Sequence, residues 1–348
     1  TVRDWSSDVC SSDLTVRSSL CRMSAAALYK HGSGFVGILF SHNEQKTGDA
    51  MKHFLSILDL KPEEALSLVV RAREMKRENY RSTLLSGKML AMIFEKASTR
   101  TRVSFEVGIR HLGGDTIFLT PADSQLGRSE PLKDTARVLA RYVQGMVVRT
   151  FAQKNVEDLA RFGGIPVINA LTDLYHPCQV MSDMLTISEL ADNFRDLTIA
   201  WVGDGNNMAH SWINASIYFG FTLNVACPGD YMPDTLVLER ALSMGARVFV
   251  TDEPKTAVAG AHFVNTDVWA SMGQEAEQKK REKAFAGYCL TDELLSLADP
   301  GVKVLHCLPA HRGEEITEAV FESARSIVFD QAENRLHMQK AILEWVFS

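Results

Sequence analysis

The sequence predicts an α/β protein built from two doubly wound parallel-sheet domains, with the active site in the cleft between them. Short apolar runs alternate with stretches of helical periodicity, the pattern of strands covered by helices on both faces. This strand–turn–helix plan starts near Met89 and again near Asp196. Because ligands bind at the carboxyl ends of parallel strands, we expect the chemistry in the turns that follow the strands.

Apolar runs with few interruptions define the predicted strands. They are Met89–Phe94, Asp115–Leu119, Gly145–Arg149, Ile165–Ala170, Asp196–Val202, Leu223–Ala226, Arg247–Thr251, His262–Thr266 and Val302–Leu305. A strand-like start at Met51 is expected to lead into a helix opened by Pro62. The chain from Ser326 is expected to form a strand, a turn and a closing helix, with Arg335 at the start of that helix.

The composition is typical of a globular enzyme and gives no reason to expect binding to nucleic acid or to a membrane. The chain has 348 residues, 46% of them hydrophobic, and 37 basic against 43 acidic residues give a formal charge of −6. No apolar run approaches the ~18 residues of a membrane span. Six cysteines without C-x-x-C spacing favour a reducing compartment, and we expect a cytoplasmic location.

Residues 1–50 differ from the rest and are predicted to be a disordered extension. They are rich in serine and glycine and lack sustained periodicity. Arg3 and Arg17 would suit a mitochondrial transit peptide, but Asp4 and Asp8 oppose one because such presequences contain few acids. The ordered enzyme is expected to begin near Met51.

The stretch that follows the first strand predicts an anion site. Ser98, Thr99 and Thr101 are cap-type residues at the start of a helical pattern, and Arg100 and Arg102 lie among them. Free backbone N–H groups and the positive end of the helix dipole favour an anion there, and guanidinium groups supply charge-assisted donors. The alternative is an ordinary helix cap with two solvated arginines. The density of donors favours a phosphate.

Several segments resemble the aspartate and ornithine carbamoyltransferase family. FEKASTRTRVSFEVG is similar to its carbamoyl-phosphate-binding segment, and LTDLYHPCQ contains an H-P-x-Q form. TDVWASMG and HCLPAHRGEEI resemble segments from the ornithine branch of the family. The resemblance covers about residues 51–348. It implies a carbamoyl-phosphate-binding domain over 51–184, an ornithine-binding domain over 185–330 and a helix over 331–348 that packs back on the first domain.

The resemblance also implies the site residues. The catalytic residues would be Arg149, His176, Asp267 and Cys307. Carbamoyl phosphate would be bound by Ser98, Thr99, Arg100, Thr101, Gln125, Arg149, His176, Gln179, Cys307, Leu308 and Arg335. Ornithine would be bound by Asn207, Asp267, Ser271 and Met272. Gln125 would reach the active site of a neighbouring subunit, and the enzyme would be a homotrimer.

The implied reaction is transfer of the carbamoyl group to the terminal amine of ornithine through a tetrahedral intermediate, giving citrulline and phosphate without a metal or cofactor. The amine reaches the site mostly protonated, because its pKa is close to the lysine value of about 10.4. Asp267, Cys307 or the phosphate itself would accept the proton. We expect a role in arginine biosynthesis, although arginine breakdown would use the same residues.

Other interpretations of individual residues stay open. Gln125 could be a solvated loop residue, His176 structural, Asp267 a helix cap and Cys307 a small buried apolar residue. The turn GDGNNM suggests a dinucleotide site, but Met208 replaces the third glycine of that fingerprint. The rival functions are a carbamoyltransferase for another amine, a non-catalytic relative and a dehydrogenase.

Overall fold

The computed structural model describes residues 51–122, 130–270 and 277–348, and the predicted N-terminal extension lies outside these ranges. It contains two parallel sheets. The first has four strands, β1 Met89–Phe94, β2 Asp115–Leu119, β3 Gly145–Arg149 and β4 Val167–Leu171. The second has five, β5 Thr198–Val202, β6 Thr222–Ala226, β7 Arg247–Thr251, β8 Phe263–Thr266 and β9 Lys303–His306.

Both sheets are doubly wound. Their strand orders are β2-β1-β3-β4 and β7-β6-β5-β8-β9, and every pairing between these strands is parallel. In each sheet the first strand in the chain lies inside, so the chain turns back and winds in the opposite direction. Ligands bind where the winding direction changes, outside the carboxyl ends of the strands. The predicted fold class is confirmed.

The helices connect the strands and cover the sheets. They are α1 Pro62–Arg77, α2 Thr99–His111, α3 Leu132–Leu139, α4 Gln153–Gly163, α5 Pro177–Ser188, α6 Asn207–Phe219, α7 Thr235–Ser243, α8 Pro254–Val258, α9 Gln278–Ala284, α10 Asp292–Leu295, α11 Glu318–Phe321 and α12 Val328–Phe347. Pro62 is the first residue of α1, as predicted, because proline has no N–H to leave unpaired there. No helix in the described ranges is long and apolar enough to cross a bilayer.

Two predicted elements are wrong. The strand-like start at Met51 is a single bridge from Phe54 to Ile168, followed by a 3-10 helix over Ile57–Asp59. The strand expected from Ser326 is likewise one bridge, from Ser326 to Val304, and α12 begins at Val328. A short apolar run fits a buried helix start as well as a strand. Arg335 therefore lies two turns inside α12.

Helices α5 and α12 form the centre of the structure. Every residue of α5 is buried, which explains why its sequence shows no polar face. Helix α12 packs against α1, α2 and α5. Near the C-terminus of α12, Glu344 accepts from Arg71 of α1 through both carboxylate oxygens, at 2.6 and 3.1 Å. This packing brings the middle of α12 beside the carboxyl end of the first sheet.

Candidate active site

The turns after β1, β4, β5, β8 and β9 meet around one cavity of about 180 Å³. Helices α2, α5 and α6 each begin at it, and α12 closes one side. The lining residues are Lys96, Ala97, Ser98, Arg100, Arg149, Leu171, Asp173, His176, Gln179, Asn206, Asn207, Met208, Asp267, Val268, Cys307, Leu308, Pro309 and Arg335. Most residues that the sequence predicted for the site are therefore brought together, although they are far apart in the chain.

The N-terminus of α2 is tied to α12 by a chain of hydrogen bonds. Ser98 is the N-cap residue, and its Oγ accepts from Thr101 N at 3.3 Å and donates to Thr101 Oγ1 at 3.0 Å. Arg335 donates from Nη2 to Thr101 Oγ1 at 2.7 Å and from Nη1 to Gln179 Oε1 at 3.0 Å. Because Thr101 Oγ1 accepts twice, its own hydroxyl hydrogen is left to donate to a ligand.

The loop after β9 is held against Arg100 of the predicted phosphate site. Leu308 adopts a left-handed φ of +60°, and its carbonyl accepts from Arg100 Nη2 at 2.6 Å. Its N–H donates to Nδ1 of His306 at 2.9 Å, and Nε2 of that buried ring lies 2.8 Å from Glu315 Oε1. A non-glycine residue at positive φ costs about 1 kcal/mol or more, which these hydrogen bonds offset. Arg100 thus links the anion site to the loop that contains Cys307.

Three guanidinium groups give the cavity a positive charge. Burial, with a smaller contribution from neighbouring guanidinium groups, lowers the pKa of Arg149 and of Arg335 to about 10. Both therefore stay charged near neutral pH. Burial, with Arg335 and Arg149 nearby, lowers the pKa of His176 well below its ordinary value. A neutral imidazole still offers one N–H donor, so His176 can donate to a carbonyl oxygen.

Asp267 and Cys307 interact directly. Desolvation and the adjacent Asp267 raise the pKa of the Cys307 thiol well above its ordinary value, so the thiol keeps its proton and donates to the carboxylate. Desolvation also raises the pKa of Asp267, and its Oδ1 accepts from Val268 N at 2.8 Å. This arrangement argues against Cys307 as the proton acceptor. Asp267 is the better acceptor of the two.

The turn after β5 presents the N-terminus of α6 to the same cavity. Asn206 caps the helix through Met208 N at 2.9 Å, and Asn207 Nδ2 donates to Thr172 O at 2.6 Å. A Cβ on Gly205 would lie 2.3 Å from Pro233 N, so only glycine fits there. The second glycine of the turn therefore serves backbone packing, which accounts for it without a dinucleotide.

Possible metal ligands occur in two clusters within the described ranges. Asp267, His306 and Cys307 place ligand atoms within 4.8 Å of one another, and so do His311, Glu314 and Glu315. Both ring nitrogens of His306 already have hydrogen-bond partners, so a metal in the first cluster would have to displace one of them. The second cluster lies outside the cavity lining.

Some predicted site residues are not placed at the cavity. Gln125, Ser271 and Met272 lie outside the described residues. Thr99 and Thr101 are described but do not line the cavity, since Thr99 is exposed and Thr101 is fully buried.

The prediction also missed two charged cavity residues, Lys96 and Asp173, whose side chains form an ion pair. Lys96 lies two residues before Ser98 in the segment FEKASTRTR, and a second cation so near the cap was the signal available. Asp173 follows β4 at the carboxyl edge of the first sheet, where polar residues are expected to face the site.

Two family models match most of the chain. Residues 52–189 match the model described as "Aspartate/ornithine carbamoyltransferase, carbamoyl-P binding domain". Residues 195–346 match "Aspartate/ornithine carbamoyltransferase, Asp/Orn binding domain". The cavity is lined by residues from both matched ranges.

Curated and solved proteins resemble the chain over nearly their whole length. An ornithine carbamoyltransferase from Oleidesulfovibrio alaskensis is 63% identical over 295 residues, covering 85% of this chain and 98% of the relative. The structure of an ornithine carbamoyltransferase from Pyrococcus furiosus has 45% identity and a TM-score of 0.81, with 84% and 96% of the two chains covered. An anabolic ornithine carbamoyltransferase from Campylobacter jejuni has 41% identity and a TM-score of 0.81, with 85% and 99% covered.

Proposed function

This chain belongs to the aspartate/ornithine carbamoyltransferase family, and on that premise we propose that it transfers the carbamoyl group of carbamoyl phosphate to the terminal amine of L-ornithine. The products are L-citrulline and phosphate. The observation that carries the proposal is the cavity itself, where three guanidinium groups, a helix N-terminus, a neutral histidine and a buried amide surround a space next to a carboxylate. These groups match the phosphate, carbonyl, amide and amine of the two substrates in turn.

The phosphate binds at the start of α2. Ser98 supplies its hydroxyl group, Thr99 and Thr101 supply backbone N–H groups, and Arg100 and Arg335 supply charge. Arg100 then exchanges its bond to the Leu308 carbonyl for the phosphate or keeps both through its other donors. Gln125 adds a donor from a neighbouring subunit.

The carbonyl oxygen of carbamoyl phosphate points at Arg149, His176 and the Thr101 hydroxyl. When the amine nitrogen attacks the carbonyl carbon, a C–N bond forms and negative charge develops on this oxygen. Donors already aimed at that position stabilise the tetrahedral intermediate, each by several kcal/mol in a dry site. The intermediate collapses as the C–O bond to phosphate breaks, and phosphate leaves with the bonding electron pair.

Ornithine binds on the side of the second sheet. Asn207, Ser271 and the Met272 backbone hold its α-amino and α-carboxylate groups, and Asp267 faces the terminal amine. That amine has to lose a proton before it attacks, since its free pKa is about 10.4. Asp267 is a carboxylate held in a desolvated site, so it is a stronger base than an exposed aspartate and takes this proton, which it later returns to solvent. After the C–N bond has formed the nitrogen carries one more proton to lose, and the departing phosphate accepts it.

The proposal extends to assembly and role. A homotrimer with shared sites would explain the part given to Gln125, and a cytoplasmic location is part of the proposal. A role in arginine biosynthesis agrees with the name of the Campylobacter jejuni neighbour, which calls that enzyme anabolic. We assign residues 51–184 to a carbamoyl-phosphate domain and 185–330 to an ornithine domain, a boundary that falls in the last turn of α5, with 331–348 as the returning helix. The packing of α12 on α1 and α2 supports the last assignment.

A panel of amines tests the proposal. The protein is incubated with carbamoyl phosphate and, separately, ornithine, aspartate, N-acetylornithine and putrescine, and the ureido product is identified. Citrulline from ornithine alone is the expected result. Turnover of another amine would contradict the assignment of Asp267 and Ser271, and no turnover with any amine would favour a non-catalytic relative.

A further inference from the structure

Asp183 is a buried acid one helical turn from the cavity, and the proposed chemistry does not use it. It lies on α5 four residues after Gln179 and has no solvent exposure. Its Oδ1 accepts from Gln179 Nε2 and from Gln331 Nε2, each at 2.8 Å. Burying a carboxyl group is costly unless the surroundings compensate for it, so its position beside a cavity-lining residue indicates a role there.

Asp183 and Arg335 together fix the orientation of the Gln179 amide. The carboxylate only accepts hydrogen bonds, so the end of the amide that faces Asp183 must be Nε2. The guanidinium group only donates, so the end that faces Arg335, 3.0 Å away, must be Oε1. Both neighbours impose the same orientation. Gln179 therefore presents its amide oxygen, Oε1, to the cavity. The hydrogen bond from Arg335 occupies one of the two lone pairs on that oxygen.

The orientation of this amide matters for substrate choice. A carbamoyl group carries two N–H donors on its amino nitrogen, whereas an acetyl group carries a methyl in the same place. An acceptor held at that point binds the carbamoyl group and leaves a buried acceptor unpaired against the methyl. We propose that Asp183 is a positioning residue that holds the Gln179 amide with its oxygen toward the cavity, so that the site selects carbamoyl phosphate over acetyl phosphate. This inference rests on the proposed function.

The positioning works in either protonation state of Asp183. Burial raises the pKa of this carboxyl to about 7, while its two amide donors and Arg335 act in the opposite direction and Asp267 adds to the increase. Oδ2 is buried and has no partner among the described residues, so a proton belongs on that atom. Oδ1 then still accepts from both glutamines. An asparagine at position 183 whose amide oxygen takes the position of Oδ1 offers the same acceptor as protonated Asp183.

The test compares binding of two acyl phosphates in variants of Asp183. Asp183→Leu keeps the branched shape of the side chain and removes the acceptor, so that only Arg335 still orients the Gln179 amide. We expect the KM for carbamoyl phosphate to rise about tenfold, the effect of one misplaced hydrogen-bond acceptor. The inhibition constants of acetyl phosphate and of inorganic phosphate, measured in competition with carbamoyl phosphate, should stay within about twofold. General damage to the site would weaken all three ligands.

Two further variants separate positioning from packing. Asp183→Asn should restore the wild-type preference for carbamoyl phosphate, because Oδ1 is retained. Thr186→Val removes a buried hydroxyl from the same helix, where it accepts from Asn334 Nδ2 at 3.0 Å, and should leave all three constants unchanged. If Asp183→Leu does not fold, Asp183→Ala replaces it, because alanine has no polar atom and leaves Gln179 without its acceptor.

The outcomes are distinguishable. An active Asp183→Leu or Asp183→Ala enzyme that keeps the wild-type preference overturns the inference, and so does an Asp183→Asn enzyme that loses as much preference as the leucine variant. The wild-type protein is assayed beforehand. Absence of citrulline at that stage contradicts the proposed function itself and is a separate result from an unchanged preference in an active variant.

Discussion

At the scale of single residues, the cavity places three guanidinium groups where they repel one another. Arg149 and Arg335 have pKa values of about 10, lowered mainly by burial, and Arg100 lies near both. Like charges in a poorly solvated space raise the free energy of the empty site. A bound phosphate dianion relieves this repulsion, and for that reason the site is expected to bind carbamoyl phosphate tightly.

Replacing Arg100 should show this directly. Arg100→Ala removes a charged donor from the phosphate and frees the Leu308 carbonyl, so the KM for carbamoyl phosphate should rise about 10- to 100-fold, the effect of one charged hydrogen bond or more. Steady-state kinetics measures the change. Arg110→Ala on the exposed side of the same helix is the control and should behave as wild type. Equal KM values in the two variants would show that Arg100 does not bind carbamoyl phosphate.

Asp183 should make stability depend on pH. Its pKa is about 7 in the folded protein and about 3.9 when unfolded, so the folded state holds a proton that the unfolded state releases. This contribution is fully present below about pH 4 and is lost as pH rises through about 7. Relative to Asp183→Asn, the wild-type free energy of unfolding should therefore fall by a few kcal/mol between about pH 4 and pH 8.

Urea unfolding at several pH values measures that difference. Thr186→Val adds and removes no titrating group, so its stability relative to wild type should not vary with pH. A constant difference between Asp183→Asn and wild type over the same range would show that Asp183 titrates as an ordinary aspartate.

At the scale of elements, the turns restrict which residues they accept as strictly as the strands they follow. In the turn after β5, a Cβ on Gly205 would meet the backbone of residues 231–233 at 2.3 to 2.5 Å, a contact that no side-chain movement relieves. The turn and the segment before α7 must separate if that glycine is replaced. Asn206 and Asn207 at the start of α6 would then leave the cavity.

Gly205→Ala should therefore destabilise the protein and weaken ornithine binding more than carbamoyl phosphate binding. Overpacking against rigid backbone costs about 1–3 kcal/mol or more. Urea unfolding gives the stability, and the two KM values give the split between substrates. Gly229→Ala is the matched control, since nothing lies within 4 Å of a Cβ there. Wild-type stability of Gly205→Ala would contradict the close approach of Gly205 to the backbone of residues 231–233.

The elements also show what the sequence could predict. Strands β1, β2 and β3 have the predicted bounds because their apolar runs are short and end in polar turns. The chain around Ser326 was assigned wrongly because a buried helix start has the same local pattern. The hydrogen bond from Arg335 to Gln179 joins residues 156 positions apart, and no local pattern reveals that pairing. The links from Gln179 through Asp183 to Gln331 were invisible for the same reason.

At the scale of the whole molecule, the cavity is assembled from both sheets and closed by α12. The donors for phosphate and carbonyl come from the first sheet and α12, and Asn207 and Asp267 come from the second sheet. The three guanidinium groups belong to the first set, and they line the same cavity as Asn207 and Asp267. The cationic amine of ornithine must therefore approach a positive site, which is unfavourable until a phosphate neutralises it.

Occupation of the phosphate site should therefore strengthen ornithine binding. Calorimetric titration of ornithine is expected to give an affinity about tenfold higher, roughly 1.4 kcal/mol of coupling, when the protein is saturated with inorganic phosphate. Norvaline, which lacks the terminal amine, should show a smaller increase. The same ornithine affinity with and without phosphate would mean that the guanidinium groups do not act on the amine.

The central claim is that one cavity joins carbamoyl phosphate to ornithine, and simultaneous measurement of citrulline and phosphate tests it most directly. With both substrates present, we predict that the two products appear at equal initial rates, and that enzyme-dependent phosphate release stops when ornithine is omitted. Phosphate released by the protein without an equal amount of citrulline would contradict the account, because the phosphate would then be leaving to water rather than to the amine.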